Sequence, residues 1–146
     1  MAKMIFVNLP VADVAASTAF YEAMGGTKDE RFCDGSTSML VLSETIYVML
    51  LDHDRFRSFT PKAIADARTT SEVLLCLTAD SRGDVDATIE RAGAAGGRID
   101  PCPQQDYGFM YGRSYEDPDG HIWEVTWMDM DAAMAAREQI AESAPA

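Results

Sequence analysis

At 146 residues, with 47% apolar and 25% charged side chains, the chain has the length and composition of one soluble globular domain, or of two small halves sharing a core. Its 24 acids against 12 bases leave a formal charge of −12, which repels phosphate backbones and argues against a nucleic-acid partner. No stretch approaches about 18 consecutive apolar residues, so neither a membrane span nor a secretory leader is expected. Cys33, Cys76 and Cys102 are odd in number and widely spaced, which points to reduced thiols in a cytoplasm and not to a disulfide framework or a zinc pair. The acid is uneven: residues 1–70 hold nine acids and seven bases, residues 71–146 fifteen and five.

The chain opens on a strand-like apolar run, Met4 to Val11, followed by Asp13 as a helix N-cap. Val14, Thr18 and Tyr21, with Ala16, Phe20 and Met24, recur at helical spacing, and Gly25-Gly26 stops that helix. Two strands are expected next, at Ser38–Leu42 and Ile46–Leu51. Residues 53–70 read as a linker with a short helix, packed by Phe56 and Phe59, or as a lid over a pocket.

The same order then returns, which is the mark of an internal repeat. Val73–Thr78 reads as a strand, Asp80 or Ser81 as a cap, Val85, Ile89 and Ala92 as a helical stripe, and Gly96-Gly97 as its end. Phe109-Met110-Tyr111 belongs to a further strand, and Asp117-Pro118-Asp119-Gly120 is a turn. His121 to Trp127 forms the last strand, rich in aromatic and β-branched residues. Module one thus runs from about 4 to 52, module two from about 71 to 130, and a C-terminal helix from about 130 to 142. Asp117, Asp119, Asp129 and Asp131 are assigned to a turn and a solvated helix start.

Asn8-Leu9-Pro10-Val11-Ala12-Asp13, Ser17, Phe20-Tyr21, Gly25-Gly26 and the segment Asp117 to Val125 resemble the vicinal oxygen chelate superfamily. That group includes glyoxalase I, extradiol dioxygenases, and fosfomycin- and bleomycin-resistance proteins. The resemblance covers roughly residues 4–130 and implies an α+β fold: two βαβββ modules whose curled mixed sheets form a cup, usually within a dimer. In metal-dependent relatives four side chains in the cup hold a divalent ion. The matching positions here are Phe6, Met49, Leu74 and Glu124, of which Glu124 alone is a hard-cation ligand. Neither histidine repairs the set, since His121 lies an odd three residues from Glu124 and His53 falls in the connection after the first module. No metal ligand set and no cofactor are therefore expected, although a divalent metal stays open if the alignment has slipped.

Strand alternation places Phe6, Asn8, Tyr47, Met49, Leu51, Leu74, Cys76, Thr78, Ile122, Glu124 and Thr126 on the inner face of the cup. Trp123, Val125 and Trp127 would face the helices or a partner subunit. Apolar walls with sparse polar groups suit a small-molecule pocket. Glu124 is the candidate catalytic or ligand-pairing group; the alternative is a relic carboxylate hydrogen-bonded to Tyr47, Asn8 or water. Arg113 would reach an anionic ligand or pair with a surface acid. The expectation is a cytoplasmic, homodimeric protein of glyoxalase/bleomycin-resistance type that binds a small, largely apolar ligand without the metal centre. The alternative is a metal-dependent lyase, isomerase or dioxygenase resembling glyoxalase I, lactoylglutathione lyase.

Overall fold

The computed structural model describes residues 2–143. Each half of the chain builds a small sheet by the same route. In module one, β1 (Ile5–Pro10), α1 (Val14–Ala23), β2 (Thr27–Lys28), β3 (Thr37–Val41) and β4 (Ile46–Leu51) give the spatial order β1-β4-β3-β2, with β1 and β4 parallel. A short helix α2 (His53–Arg57) opens the connection. Module two follows with β5 (Leu75–Thr78), α3 (Arg82–Ala94), β6 (Arg98–Ile99), β8 (Met110–Glu116) and β9 (Ile122–Met128) in the order β5-β9-β8-β6. An extra strand β7 (Gln105–Asp106) pairs with β8. The expected two-module α+β fold is the one observed. The two-residue strands β2 and β6, which complete each βαβββ pattern, carry no periodicity and were not separately expected.

The local signals act as their chemistry dictates. The Asp13 carboxylate accepts from the Ala16 amide at 3.0 Å, and the Ser81 hydroxyl accepts from the Asp84 amide at 3.0 Å. Both helices end on a left-handed glycine, Gly25 at φ 98° and Gly96 at φ 99°. Among the described residues no helix is long and apolar enough to cross a membrane.

The core joins the modules. Leu9, Val48 and Leu50 from the first sheet, Phe20 and Tyr21 from α1, Val85 and Ile89 from α3, and Tyr115, Trp123 and Val125 from the second sheet form one buried cluster. Each sheet thus turns one face toward the helices and leaves the alternate face outside this cluster. Trp123 and Val125 belong to the buried set, within the chain's own core. The last element, α4 (Met130–Ser143), buries none of its residues, and Met130, Met134 and Ile140 are exposed on it.

A polar clasp at the 117–121 turn reinforces the junction. Tyr21 donates from its hydroxyl to Asp117 Oδ2 at 2.6 Å, and Trp123 Nε1 donates to the Tyr21 oxygen at 2.9 Å. Asp117 Oδ1 also accepts from the amides of Asp119 and His121, each at 2.9 Å. Asp119 accepts from the Ala12 amide at 2.8 Å, and His121 Nε2 lies 2.7 Å from the Pro10 carbonyl oxygen. Asp117 lies in the expected turn but is only 3% exposed, so it is not one of the surface acids. Its charge is buried because Tyr21, 96 residues earlier, needs an acceptor inside the core.

Candidate functional site

Glu124 stands in the middle of the second sheet's open face. Cross-strand register sets Cys76 on one side of it and Ser114 on the other. The next rung along the same face carries Thr78, Thr126 and Gly112. Cys76 donates its thiol to Thr126 Oγ1 at 3.3 Å, and the Ser114 hydroxyl accepts from the Cys102 amide at 3.1 Å. Glu124 is half-buried, and among the described residues it has no hydrogen-bonding or ion-pairing side chain. The expected partners are engaged elsewhere: Tyr47 donates to the Glu44 carbonyl at 3.1 Å, and Asn8 to the Phe6 carbonyl at 3.4 Å.

The first sheet's open face is built from Phe6, Asn8, Tyr47 and Met49. Phe6 and Tyr47 stack with ring centroids 4.7 Å apart, and Asn8 sits in register with Met49. Phe6 remains 47% exposed, so this face is open along β1, whereas Met39, in register with Met49, is only 5% exposed. Two residues depart from the alternation. Leu51 is 1% exposed because α2 turns back onto β1 and β4 at that end of the sheet, so it does not line an open cup. Leu74 precedes β5 and is 51% exposed, outside the ladder that orients Cys76.

The donor chemistry around the matching metal positions can be tested directly. Phe6 offers a stacked ring, Leu74 a solvated alkyl chain and Met49 a thioether, and none of these suits a hard or borderline divalent cation. Among the described residues no three His, Cys, Asp or Glu side chains gather as a metal site requires. The four positions do not fit the ion, and no step through a metal follows from this chain's residues.

Arg113 is not free for a ligand. It donates twice to Asp100, at 3.0 and 2.6 Å, and once to Asp86 at 2.9 Å, and it is only 14% exposed. The hydrogen bonds from Arg113 hold Asp100 below the usual carboxylate range. Tyr111 and Arg113 together do the same for Asp86.

Residues 60–73 form a strap over a cavity of about 310 Å³ where the modules meet. Of the expected cup residues, Asn8 and Ile122 line it. A second hollow of about 280 Å³, which shares Ile64, Ala65 and Ala67 with the first, is lined by His53, Arg57, Asp66, Arg68, Asp119 and His121. The Phe56 and Phe59 signal marks this segment in the sequence, but its course over the junction depends on Gly120. A Cβ at Gly120 would stand 3.0 Å from the backbone of Ala67 and Arg68, and its φ of 95° favours glycine.

Comparison with known proteins agrees with this architecture. A family model described as Glyoxalase/Bleomycin resistance protein/Dioxygenase superfamily matches residues 3–125. A glyoxalase/bleomycin resistance protein/dioxygenase family enzyme from Burkholderia phytofirmans PsJN superposes with a TM-score of 0.70 at 20% identity, covering 88% of this chain and 100% of the other. A glyoxalase-related enzyme from Fulvimarina pelagi gives 0.71 at 22% identity, over 87% and 88% of the two chains. Lactoylglutathione lyase from Agrobacterium tumefaciens gives 0.62 at 19% identity, over 87% and 94%. At these identities the likeness establishes the fold alone. No curated protein matches the chain.

Proposed function

Because the chain belongs to the Glyoxalase/Bleomycin resistance protein/Dioxygenase superfamily, we propose that it binds a small, largely apolar molecule on its open sheet faces without the metal centre of its catalytic relatives. The observation that carries this reading is the donor set: the positions that the resemblance matches to the family's metal ligands hold Phe6, Met49, Leu74 and Glu124, and Glu124 alone among them offers an oxygen ligand. The faces suit such a ligand. The Phe6–Tyr47 stack and Met49 supply apolar contact, and Asn8, Cys76, Thr126 and Glu124 supply a few orienting groups.

In this reading a second copy of the chain covers the faces and closes the cup in a cytoplasmic homodimer. Ile5 and Phe6 of β1, Met4 and Leu74 beside the sheets, and Met130, Met134 and Ile140 on α4 are apolar and exposed in the single chain, as an interface would leave them. All three cysteines are free, in keeping with a reducing compartment.

Metal analysis of purified protein is the direct test. Stoichiometric Ni, Zn, Mn or Fe that is lost in Glu124→Gln would overturn the metal-free reading in favour of a glyoxalase I-like enzyme. A melting-temperature screen against small aromatics and cationic glycopeptides should return saturable upward shifts. No shift across the set argues that the faces serve assembly alone. Sedimentation equilibrium that returns a single-chain mass rejects the shared cup.

A further inference from the structure

The strap cavity meets the sheet faces at Asn8 and Ile122, but most of its lining belongs to the strap, and its chemistry points to a ligand of its own. Its floor is Asn8–Pro10 of β1, Leu75 of β5 and Gly120–Ile122, and its roof is the strap. Leu9, Phe56, Ile64, Val73, Leu75 and Ile122 make most of the wall apolar. About 310 Å³ lies at the small end of the range for ligand pockets, which suits a compact molecule.

The strap is held at both ends and loose between them. At one end α2 packs on β1 and β4. At the other, Ala67 and Arg68 rest on Gly120, and Arg68 Nη2 donates to the Pro118 carbonyl at 2.7 Å. Between these anchors, Pro61–Ala65 joins no ladder. Among the described residues its one bonded amide is that of Lys62, which donates to Thr60 Oγ1 at 3.2 Å. A stretch with so few backbone bonds opens at low cost and gives a ligand its way in.

Charge narrows the ligand class. Residues 52–70 hold four bases and three acids in a chain of net charge −12, so the strap is a local exception to the acidic surface. Arg57 pairs with Asp54 at 3.1 Å and Arg68 is engaged on the turn, but Lys62 forms no ion pair among the described residues. Lys62 lines the cavity, and the one lining carboxylate, Glu72, forms no ion pair with it. We propose that this cavity binds a small carboxylic acid with a compact apolar body, its carboxylate at Lys62 and its body between Ile64, Val73, Leu75 and Ile122. The inference does not rest on the sheet-face reading.

Calorimetric titration of the full chain with 4-phenylbutyrate and with 4-phenylbutan-1-ol tests it. The acid should bind saturably, one per strap cavity, and at least about tenfold tighter than the alcohol, as a new charge-assisted contact implies. Lys62→Met should erase that preference. Ile64→Trp should fill the cavity and abolish binding of both probes, and Val73→Trp does the same from the other end of the strap if Ile64→Trp merely displaces it. Melting curves show that each variant is folded. Glu124→Gln, on the sheet face, should leave the affinity within twofold. Failure of the acid to saturate, equal affinity for acid and alcohol, or binding that responds to Glu124→Gln and to neither filling variant overturns the proposal.

Discussion

The 117–121 turn and the open face around Glu124 lie on adjoining stretches of the same acid-rich segment, yet their carboxylates do opposite work. Asp117 is buried and accepts three hydrogen bonds, from Tyr21 and from the amides of Asp119 and His121. Glu124, seven residues later, is half-buried and unpartnered among the described side chains. The first holds Tyr21 of the other module and two amides of its own turn, and the second has no such partner among the described side chains. An acidic composition therefore says little until each carboxylate is placed: one is an internal fastener and the other a half-buried group on a sheet face.

Asp117→Ala should give the largest effect. It strands the Tyr21 hydroxyl and two turn amides at the module junction, which costs about 3 kcal/mol. Chemical denaturation checks this, and a loss below about 1 kcal/mol would mean that water replaces the clasp and that the contrast with Glu124 is only one of exposure. Gly120→Ala comes next, at about 1–3 kcal/mol, since a methyl group there meets the strap backbone in a conformation that disfavours side chains. The same variant should raise proteolytic cleavage within residues 60–66. Unchanged cleavage would show that the strap is not seated on the turn.

How far these roles are visible in the sequence depends on distance along the chain. The Asp13 cap, the paired glycines that end α1, and the strand alternation through Val48, Trp123 and Val125 are local patterns, and the fold follows from them. The clasp is not local. Asp-Pro-Asp-Gly has the composition of a solvent turn, and nothing near it announces that Tyr21 will arrive from the other module. Leu51 failed as a lining residue for a similar reason: its parity is right, but α2 folds back over that end of the strand. The motif around Asp117 to Val125 singles out Glu124 in the sequence, whereas the strap cavity needs the packing of Ala67 on Gly120, which only the folded chain reveals.

A pH series sharpens the burial side of the comparison. Burial, the largest cause, raises the Asp117 carboxyl above its usual range, against the opposing charge of His121 and the Tyr21 hydrogen bond. A folded-state pKa above the unfolded one means that the folded chain takes up this proton first. The contribution is complete below the unfolded value of about 4 and fades as pH rises through the folded value. The stability gap between wild type and Asp117→Asn should therefore shift in favour of wild type as pH falls from neutrality toward about 4. A gap that stays constant over that window contradicts the burial account.

Glu124→Gln should have the smallest effect, within about 0.5 kcal/mol of wild type or slightly stabilising at neutral pH. The substitution keeps the shape and removes a charge that has no partner to lose, so neither cavity formation nor a stranded donor is created. Thermal melting without added metal reads it. A loss of several degrees would mean that Glu124 is paired in solution, by a cation or by a group from a second copy. The two carboxylates would then differ only in which partner holds them, and a cation as that partner would bring down the donor-set argument for a metal-free face.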